Sequence, residues 1–413
     1  MRYALLFALV PITAFAAEPP GLGATVEPLL EQARAMSPEL AASVLSADAA
    51  LARAKGAGTL PDPTFRVQFK DVDRARGSVL PDRVNRIDYT VEQEFPLWGK
   101  RGLAQSIAAA GAAQTVAGRD QTALELIAAV KTAFGDYYGA HQGVLIIDDI
   151  KRTLDVMAEV AQRRYEQGLG SQQDAILAKV EAAHMETERM RRESDRRRAA
   201  ARLNALLNRP VEAPLAYPET LPPLPSSEAI NLDNLVARLN DTSPILKAQD
   251  AAIEAASGTQ ALAKKSWYPD VAVGLSVVDQ NRRWQGYEAM VSIKIPINGT
   301  LRRAEISAAT SELGAARSRR DALAAKTREQ LVAAYWNFDE AQRIATVLHE
   351  NHIPQTELAL KSAVAGYQQN RVDLLNLLEA QRRAFQNRLE HVMYLVNRER
   401  AVAEIEKLLG GAL

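Results

Sequence analysis

Cysteine is absent from all 413 residues. Its absence excludes thiolate nucleophiles, Cys-ligated zinc, iron–sulfur centres, disulfides and a lipid anchor on an N-terminal cysteine. Neither sign of charge is in excess: 50 Lys and Arg stand against 50 Asp and Glu, so no basic field is available to hold nucleic acid. Aromatics are scarce, at 6%. After residue 17 no apolar run reaches the roughly 18 residues that a spanning helix requires. What is abundant is Ala, Leu, Glu, Gln and Arg, the residues of long helices. With 47% hydrophobic residues the chain can build a core, and disorder is not expected.

Met1-Arg2-Tyr3, the apolar run from Ala4 to Ala16 and the small-residue pattern Ala14-Phe15-Ala16 predict a secretory signal peptide over residues 1–17. The run is short and broken by Pro11, which argues against a membrane-spanning helix. The mature chain is therefore expected to be exported without a spanning α-helix. A β-barrel stays open, because its signal per strand is weak.

Proline breaks helices, so its placement divides the chain. Six of the 19 prolines lie between Pro210 and Pro225, and none falls from 97 to 209, from 297 to 353 or after Pro354. Residues 210–228 are thus a Pro-rich linker between a repeat over 18–209 and a second over 229–413. Ser37-Pro38 recurs as Ser243-Pro244, Pro61-Asp62 as Pro269-Asp270, Phe95-Pro96 as Ile295-Pro296, and Tyr165-Glu166-Gln167-Gly168 as Tyr367-Gln368-Gln369-Asn370. The offsets are 206, 208, 200 and 202. The drop from 208 to 200 places a loop about eight residues longer in the first copy, between Pro61 and Pro96.

Each copy reads as a helix, two alternating segments and two long helices. Strands are predicted at about 64–72, 86–95, 270–278 and 286–296, where Phe65, Val67 and Phe69 interleave with Arg66, Gln68 and Lys70, and Val273, Leu275 and Val277 with Gly274 and Ser276. A half-buried sheet of a soluble protein gives the same pattern. Strand lengths of roughly 9–11 residues, an export signal, and Trp98, Trp267, Tyr268, Trp284 and Tyr287 near strand ends favour a membrane sheet. Four strands cannot close a barrel when the smallest have about eight, and an open edge in lipid strands backbone groups, so the barrel must be shared between chains; three copies give 12 strands.

Long helices are predicted at about 102–167, 172–208, 300–367 and 373–409; a run of roughly 65 residues is about 100 Å long, more than a globular domain needs. The basic run from Arg189 to Arg198 is interrupted by acids and reads as a solvated helix face. No catalytic site emerges. His349 and His352 are an i, i+3 pair without a third metal ligand, and no Gly-x-Ser-x-Gly or His-Glu-x-x-His occurs, so neither catalysis, cofactor nor metal site is expected. A periplasmic adaptor would carry one hairpin rather than a duplicated one, and a structural coiled coil would lack the strands.

Leu60-Pro61-Asp62-Pro63, Gln93-Glu94-Phe95-Pro96-Leu97-Trp98-Gly99-Lys100-Arg101 and the turn from Tyr165 to Asp174 together resemble the TolC-type outer membrane factors, most of all the branch that serves heavy-metal efflux pumps. The resemblance covers essentially the whole mature chain. It implies a mainly α fold with transmembrane β: a homotrimer whose 12-stranded barrel in outer membrane lipid continues as an α-helical barrel. It implies a passive duct, not an enzyme, opened by a periplasmic adaptor and served by an inner-membrane RND-type pump. Drug efflux and type I protein secretion are the alternative systems.

Carried over onto this sequence, the resemblance makes Tyr165, Gly168 and Ser171 one adaptor-facing tip, and Tyr367, Asn370 and Asp373 the other. It places Asp174, Asn376 and Glu379 at the pore constriction, with ordinary helix capping as the competing role for these three.

Overall fold

The computed structural model describes residues 21–72, 84–226, 229–280, 283–369 and 371–413. The predicted signal peptide, most of the long first-copy loop, and Asn370 lie outside the described residues. In chain order come α1 (Glu27–Met36), α2 (Pro38–Gly56), β1 (Thr64–Val72), β2 (Val84–Phe95), α3 (Lys100–Glu166), α4 (Gln172–Leu206), α5 (Leu232–Thr242), α6 (Pro244–Lys265), β3 (Asp270–Gln280), β4 (Arg283–Lys294), α7 (Gly299–Val347), α8 (Ile353–Gln368) and α9 (Leu374–Leu409).

Two expectations are corrected. The single helix foreseen at the start of each copy is a pair, split at Ser37-Pro38 and at Ser243-Pro244. Proline forces the preceding residue to extend, and Ser37 and Ser243 adopt ψ of 117° and 118°. The run foreseen as one helix over 300–367 is interrupted by a π turn at Leu348–His352. The second copy carries two more residues between Ile295 and Tyr367 than the first does between Phe95 and Tyr165, and a wider turn takes up part of that surplus.

Two compact units form, and they do not follow the repeat. One takes residues through Ser37 with Leu126–Leu224 and Trp336–Ala403; the other takes Pro38–Glu125, Pro225–Tyr335 and Glu404–Leu413. The first unit is helical and has two apolar cores. In one, Leu22, Val26, Leu29 and Ala33 pack on Val130, Ala133, Phe134, Leu203 and Leu207. In the other, Ile150, Leu154, Met157 and Ala161 meet Ala178, Met185, Tyr367, Leu374 and Leu377. Close approach of α3 and α9 depends on Gly139, where a Cβ would come within 2.8 Å of Val396 Cγ2.

The second unit carries the sheet, antiparallel in the order β1-β2-β3-β4. Register follows the alternation: Val67 faces Tyr89, Tyr89 faces Val277 and Val277 faces Tyr287, an apolar row across all four strands. A bulge shifts the β3–β4 register between Val278 and Asp279. Among the described residues no helix is long and apolar enough to cross a membrane.

Candidate channel face and helix turns

The two faces of the sheet are inverted relative to a soluble protein. Phe65, Val67, Phe69, Tyr89, Val91, Val273, Leu275, Val277, Tyr287, Val291 and Ile293 are 37–69% exposed, whereas Asp88, Thr90 and Ser276 are 3%, 6% and 8% exposed. In water such a surface costs about 25 cal/mol for each Å² of apolar area. Facing acyl chains it costs nothing, and the polar face then lines a lumen. The reading as a half-buried soluble sheet is thereby removed.

Several polar groups on that inner face satisfy one another. Asp88 receives Lys70 Nζ at 2.6 Å and Arg86 Nε at 2.7 Å, and Arg86 reaches Glu288 at 2.6 Å. The hydroxyls of Thr90 and Ser276 lie 2.6 Å apart.

Aromatics gather at both ends of the strands. Trp98 and Tyr268 rings stand 5.3 Å apart where β2 ends and β3 begins, and Trp284 and Tyr287 stand 5.4 Å apart near the β3–β4 hairpin. Amphipathic rings belong at the two water–lipid boundaries. The strand-to-helix junction after β2 is fixed by the quoted motif itself: Trp98 and Gly99 take positive φ, Trp98 Nε1 donates to Pro269 O at 2.8 Å, and Lys100 Nζ lies 2.8 Å from both carboxylate oxygens of Asp270.

The helix turns were expected from Tyr165 onward. Gly168 has φ of +72°, Leu169 N donates to Arg164 O at 2.8 Å and Gly168 N to Tyr165 O at 2.9 Å, the paired bonds of a Schellman motif that only a left-handed residue closes. Ser171 then caps α4, its hydroxyl accepting from Asp174 N at 3.0 Å. At the second turn Asp373 does the same for Asn376 N at 2.9 Å. Ser171 and Asp373 are N-caps, which is why Asp174 and Asn376 follow them by three residues.

Tyr165 and Tyr367 occupy unlike environments despite their equivalent places in the repeat. Tyr165 is 41% exposed, but Tyr367 is buried at 4%. Tyr367, expected at a tip, is covered within the chain: Arg164 lies over its ring at 4.8 Å and donates to its carbonyl at 2.8 Å, and burial raises its phenol pKa. Arg164, missed by the sequence reading, links the two turns by these contacts; its place beside the Tyr165 motif was the available signal. Glu379 is exposed and ion-paired to Arg383 at 2.9 Å within α9, so its charge is compensated locally. Among the described residues no group of three or more His, Asp or Glu is placed to hold a metal.

An apolar-out, polar-in four-stranded sheet beside duplicated long helices defines one third of a TolC-type channel. The solved outer-membrane channel OprN matches with a TM-score of 0.82 at 19% identity, over 94% of this chain and 90% of that one. VceC from Vibrio cholerae gives 0.80 at 18%, over 94% and 96%. The fold is therefore that of the trimeric barrel channels. The family model for outer membrane efflux proteins matches residues 29–209 and 235–411, one span for each copy of the repeat. The chain belongs to the outer membrane efflux protein family. Members of this family are passive homotrimeric channels, not enzymes, and work with an adaptor and an inner-membrane pump. The cobalt-zinc-cadmium resistance protein CzcC of Cupriavidus metallidurans is 24% identical over 61% of this chain; the match spans 60% of that relative's length, under two thirds.

Proposed function

We propose that this chain is the outer membrane duct of a tripartite efflux system for heavy-metal cations. The inverted sheet is the observation that carries the duct: an apolar belt with a charged, self-satisfied inner face suits a water-filled passage through lipid. The choice of cargo is supported by the relation to the cobalt-zinc-cadmium resistance protein. The duct needs no metal site of its own, because the pump supplies direction and energy.

The two turns are the adaptor-facing ends. Tyr165, Gly168, Ser171 and Asp373 form their surface, with exposed Leu169 and Leu375 as apolar contacts, while Tyr367 sets the position of the second turn from beneath. Asp174 and Asn376, about one helical turn further along, and Glu379, nearly two, narrow the passage. Asp174 is the main charge there, since Arg383 offsets Glu379.

Deletion of the gene in its native host should raise sensitivity to cobalt, zinc or cadmium, and the intact gene should restore resistance. Unchanged metal tolerance with new sensitivity to drugs, or loss of a secreted protein, would move the assignment to the alternative systems. Gly168→Val should abolish resistance at normal trimer yield; normal resistance would remove the turn from the docking surface.

A further inference from the structure

β1 and β4 are the edges of the sheet. Lipid offers their outer backbone groups no hydrogen bonds, so a second copy of the chain must cover them. The duplication specifies how. Adding 208 to a β1 number and 200 to a β2 number turns the pair Thr64–Glu92 into Ala272–Ser292, and Phe69–Ile87 into Val277–Tyr287; both are pairs that β3 and β4 make. Register is thus preserved between copies.

The same operation applied to the β2–β3 pairing carries β2 onto β4 and β3 onto β1 of the next chain. Val91–Leu275 becomes Val291 opposite Val67 of the partner subunit, and Thr90–Ser276 becomes Met290 opposite Gln68 of the partner subunit. On the lipid side Ala289 likewise falls opposite Phe69 of the partner subunit, and Ile293 opposite Phe65 of the partner subunit. Asp88–Val278 becomes Glu288 opposite Lys70 of the partner subunit.

An independent observation points to the same register. Within one chain the inner face carries a row of alternating charge, Lys70, Asp88, Arg86 and Glu288, linked at 2.6, 2.7 and 2.6 Å. Asp88 in the interior is 4% exposed at its side chain, whereas Lys70 and Glu288 at the two ends are 38% and 53% exposed. The row ends positive at one sheet edge and negative at the other.

We propose that β4 of one subunit pairs with β1 of the next in this register, so that Glu288 and Lys70 of the partner subunit close the row into a continuous alternating belt around the lumen. The proposal rests on the channel reading above. A slip of one residue would turn every apolar side chain inward, and a slip of two would set Lys70 of the partner subunit against Met290 or Gly286 instead of a carboxylate. The belt carries no net charge. It selects a register at assembly rather than an ion in transit.

Because the chain has no cysteine, paired substitutions report directly. Full-length protein carrying Gln68→Cys and Met290→Cys is oxidised in outer membranes, beside the slipped combinations Arg66→Cys/Met290→Cys and Lys70→Cys/Met290→Cys, and each is also sized in detergent by light scattering. The expected result is covalent multimers from Gln68→Cys/Met290→Cys at about fivefold or more over either slipped pair, since Cα atoms beyond about 7 Å are not bridged. A slipped pair cross-linking as well or better in a trimeric protein overturns the register alone. Monomers in detergent without cross-links in any combination overturn the register and the shared barrel together.

Discussion

Arg164 lies over the ring of Tyr367 at 4.8 Å and donates to its carbonyl oxygen at 2.8 Å, joining the turn that ends α3 to the turn that follows α8. Both contacts use one side chain, so its loss should release both turns at once. Arg164→Ala should lose a cation–π contact and a charge-assisted hydrogen bond, together about 1–3 kcal/mol locally. Hydrogen exchange at Gly168–Ser171 and at Arg371–Asp373 should accelerate together while the trimer persists. Acceleration at one turn alone would show that Arg164 does not couple them.

The α3–α9 packing gives a second test. Gly139→Leu places a branched side chain where a Cβ alone would approach Val396 Cγ2 to 2.8 Å. Overpacking of this kind costs about 1–3 kcal/mol. A thermal melt followed by helix ellipticity should show the loss, and Val396→Ala in the same chain should recover part of it. No recovery would place the strain elsewhere.

Acid should loosen the linker. His141 stacks on Tyr217 at 4.5 Å with ring planes 5° apart, and Arg196 covers Tyr217 at 4.6 Å. Burial first, then the Arg196 charge, push the His141 pKa below the ordinary imidazole value. A group with a depressed cationic pKa binds its proton more weakly folded than unfolded. Its contribution is therefore complete above about pH 6.5 and declines as pH falls from there through the lower folded value. Between pH 7.5 and 5, His141→Phe should lose less melting temperature than the parent. An equal loss in both proteins would assign the acid sensitivity to other groups.

Asp270 and Asp250 should respond differently to the same change. The Asp270 carboxylate is 23% exposed and held by Lys100, itself 13% exposed, while Asp250 is 49% exposed and faces Arg320 at 3.0 Å. Asp270→Asn leaves a largely covered ammonium with a weaker partner, for about 1–3 kcal/mol. Asp250→Asn should cost under about 1 kcal/mol. The heat-dissociation temperature of the detergent-solubilised trimer measures both, and a larger effect at Asp250 would reverse the ranking of the two ion pairs.

The sequence by itself determined the four strands, the long helices and their order, but not the split of each leading helix at Ser37-Pro38 and Ser243-Pro244 nor the π turn at Leu348–His352. Side-chain periodicity is a local property, so alternation at Phe65–Lys70 and at Val273–Val277 marked strands, and proline-free stretches marked the long helices. The repeat offsets carry the register as well, since duplication copies pairing along with residues. Gly168 was legible because a helix reversal needs positive φ; that Ser171 and Asp373 are the caps, rather than Asp174 and Asn376, became visible only in the structure.

Tertiary structure alone decided the rest. Periodicity separates two faces of a strand but does not say which one meets solvent; only the exposure of Val67 and the covering of Asp88 settle that the sheet is inverted. Equivalent sequence places likewise do not imply equivalent surroundings. Tyr165 and Tyr367 match in the repeat, yet Tyr367 is buried because an arginine from 203 positions earlier in the chain folds over it. Such a contact depends on where two distant backbones arrive, and no spacing within one segment encodes it.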